Sequence, residues 1–283
     1  MSGASSRELQ FSKYTGAGND FVIVRAEEVE GADPAAVARL ACPRATGVGV
    51  DGLILLRPLA PRRIRLRFFN PDGSEFPTCG NGSRCAALYA FERNLAGRER
   101  LELVTEDGEV AASLDGSEVS LEYRLEPRVG PELSVTVEGT RLAGRLVFLG
   151  TPHFVLPLEA MPEQGFEDIC RPIRHHPALG AAGVNVNLVQ RLDGGSARIR
   201  TFERGVEGET LACGSGAMAA AVALREAGLC GPSLSVQTRS GASLRVHLED
   251  SAPEAGPRRI HLTGPARRVF DGKFPVRIPP RST

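Results

Sequence analysis

Two short stretches carry the residues best able to do chemistry: "PTCGNGSRC", from Pro77 to Cys85, and "LACGSGAMAA", from Leu211 to Ala220. Each sets a cysteine before Gly-x-Gly and then runs into a helix-forming segment. A cysteine where a loop becomes a helix meets free backbone N–H groups and the positive end of the helix dipole. A stabilisation of up to about 2 kcal/mol there lowers a thiol pKa from roughly 8.5 toward roughly 7, the range a general base needs. The same N–H groups can hold a carboxylate, and glycine lets a ligand approach the backbone. Two such helix ends, one bearing thiolate and one thiol, on either side of a small carboxylate-bearing molecule would take a proton from one face of a carbon and return one to the other. The outcome is inversion. A single free cysteine is usually a small buried hydrophobe, and Cys42, Cys85, Cys170 and Cys230 are read that way; Cys79 and Cys213 share a frame that argues for chemistry.

The elements that must position these cysteines repeat with them. Ahead lie "RLRFFNPDGSEF" and "RIRTFERGVEGET", each an alternating strand entering an acidic, glycine-bearing loop. Behind lie "LVTEDGEVAASL" and "VQTRSGASLRV", each a strand, a glycine turn and a strand, and farther upstream "GNDFVIV" corresponds to "GTPHFVLPL". Four matches in one order predict a duplicated α+β chain of two pseudo-symmetric domains. Each is expected to be a barrel-like, mostly antiparallel sheet around a central helix, because the alanine-rich segment after each cysteine is apolar on nearly every side. The expected halves are residues 1–127, with 269–283 returning to them, and 128–268. Between them "RLEPRVGPEL" reads as a linker, while "RRVFDGKFPVRIPP" near the C-terminus has no counterpart in the repeat.

Composition excludes several function classes. The chain has 283 residues, and its 34 Lys plus Arg balance 34 Asp plus Glu, so no net field recruits nucleic acid or an anionic membrane. The N-terminal "MSGASSRELQ" lacks a signal peptide's apolar centre and reads as a frayed end; a cytoplasmic protein is expected. Six cysteines without Cys-x-x-Cys in a chain this long read as free thiols, and the five histidines form no metal-type pairing with them. No metal site is expected. Lysine occurs only at Lys13 and Lys273, which leaves little room for a pyridoxal phosphate Schiff base.

The segments "GAGNDFV", "GVGVDGLI", "FNPDGSEFPTCGNGSRC", "GTPHFV", "NVN", "ERGVEGETLACGSG" and "GPARRVFDG", in that order, resemble the diaminopimelate epimerase family. The resemblance runs from Phe11 to about Phe270. It implies a cofactor-independent isomerase that interconverts L,L- and meso-diaminopimelate on the route to lysine and peptidoglycan precursors, with Cys79 and Cys213 as its two bases. It further implies that Gly80, Asn81, Gly214 and Ser215 give backbone N–H groups to the reacting carboxylate. Asn19, Asn70, Asn185 and Arg204 would fix the remainder of the substrate, the last three gripping the distal carboxylate, and Glu203 and His153 match residues that tune the thiols; Glu203 or nearby carbonyls could take the distal ammonium. The implied partner is a small diamino dicarboxylic acid, with no nucleic acid and no membrane, and with a homodimer among the allowed assemblies. Two positions depart from the pattern. Thr151 stands where the family often has asparagine, replacing a substrate-facing amide with a hydroxyl, and Gly52 stands where some members have glutamine.

Rival expectations share parts of this chemistry. A racemase of proline, hydroxyproline or histidine would use the same two thiols, but Asn81 and the "ERG" triplet fit the epimerase pattern better. A dehydratase needs one base and one leaving-group acid, so it would not need both cysteines. A thiol redox protein would cycle the two cysteines through a disulfide, and without Cys-x-x-Cys that reading is weaker.

Overall fold

The computed structural model of the chain describes residues 5–95, 100–250 and 257–278. Among these lie eighteen strands and four α-helices. The chain divides into two compact units, residues 1–121 with 265–283 and residues 122–264, against the expected 1–127 with 269–283 and 128–268.

In the first unit the strands are β1 (Ser5–Gly16), β2 (Asn19–Arg25), β3 (Gly52–Ala60), β4 (Arg63–Phe69), β5 (Glu75–Phe76), β6 (Leu101–Thr105) and β7 (Gly108–Asp115), with helices α1 (Pro34–Ala41) and α2 (Gly80–Glu92). The chain passes into the second unit on β8 (Glu118–Leu125). That unit holds β9 (Arg128–Val137), β10 (Thr140–Phe148), β11 (Pro152–Leu158), β12 (Asn185–Arg191), β13 (Ser196–Glu203), β14 (Gly208–Thr210), β15 (Ser233–Gln237), β16 (Ser243–Leu248) and β17 (Arg258–Gly264), with α3 (Phe166–Arg174) and α4 (Gly214–Glu226). The last strand, β18 (Arg267–Ile278), returns to the first unit.

The pairing is the same in both units. In the first, β18, β1, β2, β3, β4, β6 and β7 follow one another across the sheet; β2–β3 and β4–β6 are parallel and the other pairs antiparallel. In the second, the order is β9, β10, β11, β12, β13, β15, β16 and β17, with β11–β12 and β13–β15 parallel. One edge of β4 is shared by β5 and β6, and one edge of β13 by β14 and β15. The helix carrying the cysteine connects the two strands that share the edge, so a parallel return requires it to cross the sheet. Strands at both ends of each sheet touch the helix: α2 meets β1, β2, β3, β6, β7 and β18, and α4 meets β9 to β12 and β15 to β17. Ala86, Ala87 and Ala90 of α2 and Ala217, Ala219, Ala220 and Ala221 of α4 are buried, and such small side chains let a sheet close around a helix.

Three expectations change. Residues 5–10 of the N-terminal stretch belong to β1 rather than to a frayed end; residues 1–4 lie outside the described part. The expected linker is mostly strand, with only Glu126 and Pro127 between β8 and β9. Gly130 and Pro131 are accommodated there because the register of β10 shifts between Arg145 and Val147, which leaves no paired partner opposite them. Finally, the C-terminal segment does have a counterpart: β18 lies against β1 as β9 lies against β10. The repeat is hidden in sequence because in one copy this strand comes first and in the other it comes last.

Candidate active site

Strand register fixes which residues correspond between the units. Phe76 of β5 and Thr210 of β14 each lie three residues before the cysteine. They pair with Phe68 and Thr201, and following the ladder inward matches Leu53 with Val186, Gly52 with Asn185 and Phe21 with His153. By the same register Ile54 matches Asn187, and Asn19 matches Thr151.

Each cysteine caps its helix. Cys79 has extended backbone, with φ −150° and ψ 117°, and its Sγ accepts the Gly82 N–H at 3.4 Å. Cys213, with φ −121° and ψ 112°, accepts the Gly216 N–H at 3.3 Å and lies 3.4 Å from Ser215 Oγ. A sulfur in the N-cap place takes the third N–H of the helix, as serine or aspartate oxygens do. The N–H groups of the first two helical residues, Gly80 and Asn81 in α2 and Gly214 and Ser215 in α4, lie at the open N-terminal ends of their helices. Cys213 is buried and Cys79 is half-buried.

Around Cys79, Asn81 donates through Nδ2 to Asn19 Oδ1 at 2.6 Å and accepts from Arg84 Nη2 at 2.6 Å, while Asn19 Nδ2 donates to Asp51 Oδ2 at 3.1 Å. Asp51 is tied to the chain through the Asp20 N–H at 3.2 Å and to Arg44 at 2.8 Å. Asn19 is therefore held at both ends of its amide. Asn70 sits at a turn, where its Nδ2 donates to Ser74 Oγ at 3.0 Å and its N–H to the Ser74 carbonyl at 2.8 Å. Sequence reading missed Asp51 and the fully buried Arg84; a charged residue inside an alanine-rich buried helix was the available signal for the latter.

In the second unit Thr151, Asn185 and Arg204 come together around the buried His153, while Glu203 ends β13. His153 is 0 % exposed. Its Nε2 lies 3.1 Å from Thr151 Oγ1 and 3.5 Å from Asn185 Nδ2, and its Nδ1 lies 3.2 Å from Asn187 Nδ2. Thr201 Oγ1 donates to Asn187 Oδ1 at 3.0 Å, and Asn185 Oδ1 accepts the Arg204 N–H at 2.7 Å. Burial, reinforced by the Arg204 guanidinium, pushes the His153 pKa down to about 3, so the ring is neutral at neutral pH. Burial also raises the Glu203 carboxyl above the usual carboxylate range. Asn187 and Thr201, both buried, were not singled out in the sequence.

The remaining thiols are inert by environment. Burial pushes Cys42 and Cys85 up to about 12 and raises Cys170 and Cys230 as well. All six cysteines are free.

The profile of the family described as diaminopimelate epimerase matches residues 11–126 and 145–269. The chain is similar to a diaminopimelate epimerase of Aquifex aeolicus, at 37% identity over 94% of this chain and 98% of the relative. It is also similar to one of Moorella thermoacetica, at 40% identity over 95% of this chain and 100% of the relative. Among solved structures, a Bacillus anthracis phenazine biosynthesis protein of the PhzF family superposes with a TM-score of 0.70 at 16% identity, covering 95% of this chain and 99% of the other. A hydroxyproline epimerase from Agrobacterium vitis, with bound trans-4-hydroxy-L-proline, does so with a TM-score of 0.67 at 16% identity, covering 96% and 94%. These two likenesses show the fold.

Proposed function

The chain belongs to the diaminopimelate epimerase family, and from that premise we propose that Cys79 and Cys213 are the two proton-transfer groups by which it interconverts L,L- and meso-diaminopimelate. The observation that supports this most is the repeated cap: in each unit a cysteine three residues beyond a short strand caps a buried helix and takes the third helical N–H on its sulfur. Inversion at carbon needs a proton to leave one face and another to arrive on the opposite face. A thiolate removes the α-proton, the thiol of the other cysteine supplies one, and the pair exchanges roles for the reverse direction.

The intermediate carries negative charge on the α-carbon and its carboxylate. The N–H groups at the helix starts, from Gly80, Asn81, Gly214 and Ser215, are the donors that stabilise it, aided by the positive ends of α2 and α4. Asn19, Asn70, Thr151, Asn185 and Arg204 position the rest of the substrate, with the guanidinium on the distal carboxylate. Glu203 takes the distal ammonium: burial raises its carboxyl pKa, and a cationic partner offsets that cost of ionising it. A neutral His153 acts through hydrogen bonds rather than as a cation beside a thiolate. We place the enzyme in the cytoplasm, where thiols stay reduced; among the described residues no helix is long and apolar enough to cross a membrane.

The experiment is proton NMR of the reduced protein with L,L-diaminopimelate in deuterated water, with proline and histidine in parallel. Exchange of the α-proton with formation of the meso isomer is expected for diaminopimelate alone. Turnover of proline or histidine with none of diaminopimelate would overturn the substrate assignment and leave the two-thiol chemistry standing.

A further inference from the structure

In the first unit the space beneath the third residue of the cysteine helix is filled with hydrocarbon: an added Cβ at Gly82 would meet Phe68, Ile54 and Phe21. In the second unit the corresponding positions hold Thr201, Asn187 and His153, and a Cβ at Gly216 would meet Asn187 Oδ1 and Thr201 Oγ1. The fold therefore does not require a polar group at any of the three. Burying a hydroxyl, an amide and an imidazole where the sister unit buries two phenylalanines and an isoleucine costs desolvation that hydrogen bonds only offset. The polar set has a task outside the core.

We infer that Thr201, Asn187 and His153 form a directional hydrogen-bond relay that fixes the Thr151 hydroxyl as a donor toward a carboxylate of the substrate. Each step follows from the one before. Asn187 Oδ1 packs against Gly216 so closely that a Cβ has no room between them, a place that suits a bare oxygen better than an NH2 group. Thr201 donates to that oxygen at 3.0 Å, and the amide then presents Nδ2 to His153 Nδ1 at 3.2 Å. Nδ1 must accept, so in the neutral ring the proton sits on Nε2. Nε2–H donates to Thr151 Oγ1 at 3.1 Å. With its oxygen accepting from inside, the threonine hydroxyl spends its own proton outward. Asn185 Nδ2, 3.5 Å from Nε2, is at the limit of hydrogen-bond distance, and its carbonyl oxygen is already engaged by the Arg204 N–H.

The relay explains how a hydroxyl serves at a position where the family often has an amide: an amide carries donor hydrogens whatever surrounds it, whereas a hydroxyl is a dependable donor only when something else satisfies its oxygen. Thr151, Asn187 and Thr201 thereby set specificity for a carboxylate over an uncharged group. This rests on the reading that Thr151 touches the substrate.

Two measurements test it. The first, on unmodified protein labelled with ¹⁵N at histidine, is the long-range ¹H–¹⁵N correlation of the His153 ring, identified by its loss in His153→Phe. A bare-nitrogen signal at Nδ1 and a protonated one at Nε2 are expected; the reverse overturns the relay. The second is a double-mutant cycle with diaminopimelate. Thr151→Val is expected to raise KM about tenfold with kcat nearly unchanged, and Thr201→Val to raise it several-fold. Thr151→Val combined with Thr201→Val should be no worse than Thr151→Val alone, because Thr201 acts through Thr151. Thr201→Ser, which keeps the donor, should recover the KM that Thr201→Val loses. Additive effects, or no recovery by serine, would overturn the relay while leaving Thr151 as a contact. An unchanged KM in Thr151→Val would overturn the contact itself, and with it the relay.

Discussion

Gly216→Ala is the most discriminating single substitution, because the same change at Gly82 serves as its control. Both glycines are the third residue of a buried helix, and in a helix alanine is favoured over glycine by about 1 kcal/mol. Without steric conflict both variants would be stabilised. Instead, a Cβ at Gly82 would lie 2.9 Å from Phe68 Cε1 and 3.2 Å from Ile54 Cδ1, and one at Gly216 would lie even closer to Asn187 Oδ1 and 3.1 Å from Thr201 Oγ1. Overpacking costs about 1–3 kcal/mol at either site, so Gly82→Ala nets roughly 0–2 kcal/mol of destabilisation after the helix gain. At Gly216 the methyl also displaces Asn187, which breaks the bonds to Thr201 and His153 at about 1 kcal/mol each. The expected loss there is about 2–4 kcal/mol. Urea unfolding of the three proteins measures the stabilities, and steady-state kinetics with diaminopimelate should show KM raised about tenfold in Gly216→Ala. A Gly216→Ala protein as stable as Gly82→Ala, with unchanged KM, would refute both the packing and the relay beneath it.

Cys79→Ala and Cys213→Ala should each lower the rate of inversion in both directions by about 10²- to 10⁴-fold, the usual worth of a positioned acid or base; near-normal turnover by either, measured by NMR, would exclude that cysteine as a required group. Arg204→Ala should raise KM about 10- to 100-fold, as expected for losing a charged hydrogen bond to a carboxylate, and unchanged kinetics would place Arg204 outside the site. His153 makes stability depend on acid in a defined window. Its folded pKa is about 3 and its unfolded value about 6.5, so below about 6.5 the unfolded chain binds a proton that the native ring refuses. Native stability therefore falls by roughly 1 kcal/mol per pH unit toward pH 3. His153→Phe, which copies the first unit, should show a shallower decline of urea midpoints between pH 6 and pH 4, and parallel curves would contradict the neutral buried ring.

The sequence revealed the parts of this design that are written locally. Cys-Gly-x-Gly before an alanine-rich run marks a helix start in either copy, and alternation in "RIRTFE" marks a strand. It concealed what depends on distant partners. Gly130 and Pro131 read as a linker because the register shift that admits them lies in another strand, near Leu146. The C-terminal strand read as unmatched because its counterpart precedes the second copy instead of following it. Asn187 and Thr201 went unremarked although the pattern held a clue. Each shares its strand face with a buried apolar residue two places away, Val189 after Asn187 and Ile199 before Thr201, and a polar residue beside such a neighbour asks for a buried partner.

The two halves of this duplicated chain have kept some features in common and diverged in others. The helix ends, the caps and the strand order have stayed the same, because both thiols need the same dipole and the same third N–H. Divergence is found one layer beneath. The first unit supports its helix on hydrocarbon and holds the Asn19 amide from the side through Asn81 and Asp51. The second supports its helix on hydrogen bonds and holds the matching residue, Thr151, from below through His153. Asn19 and Thr151 occupy the same place in the repeat, yet each has its orientation set by groups that the other unit lacks.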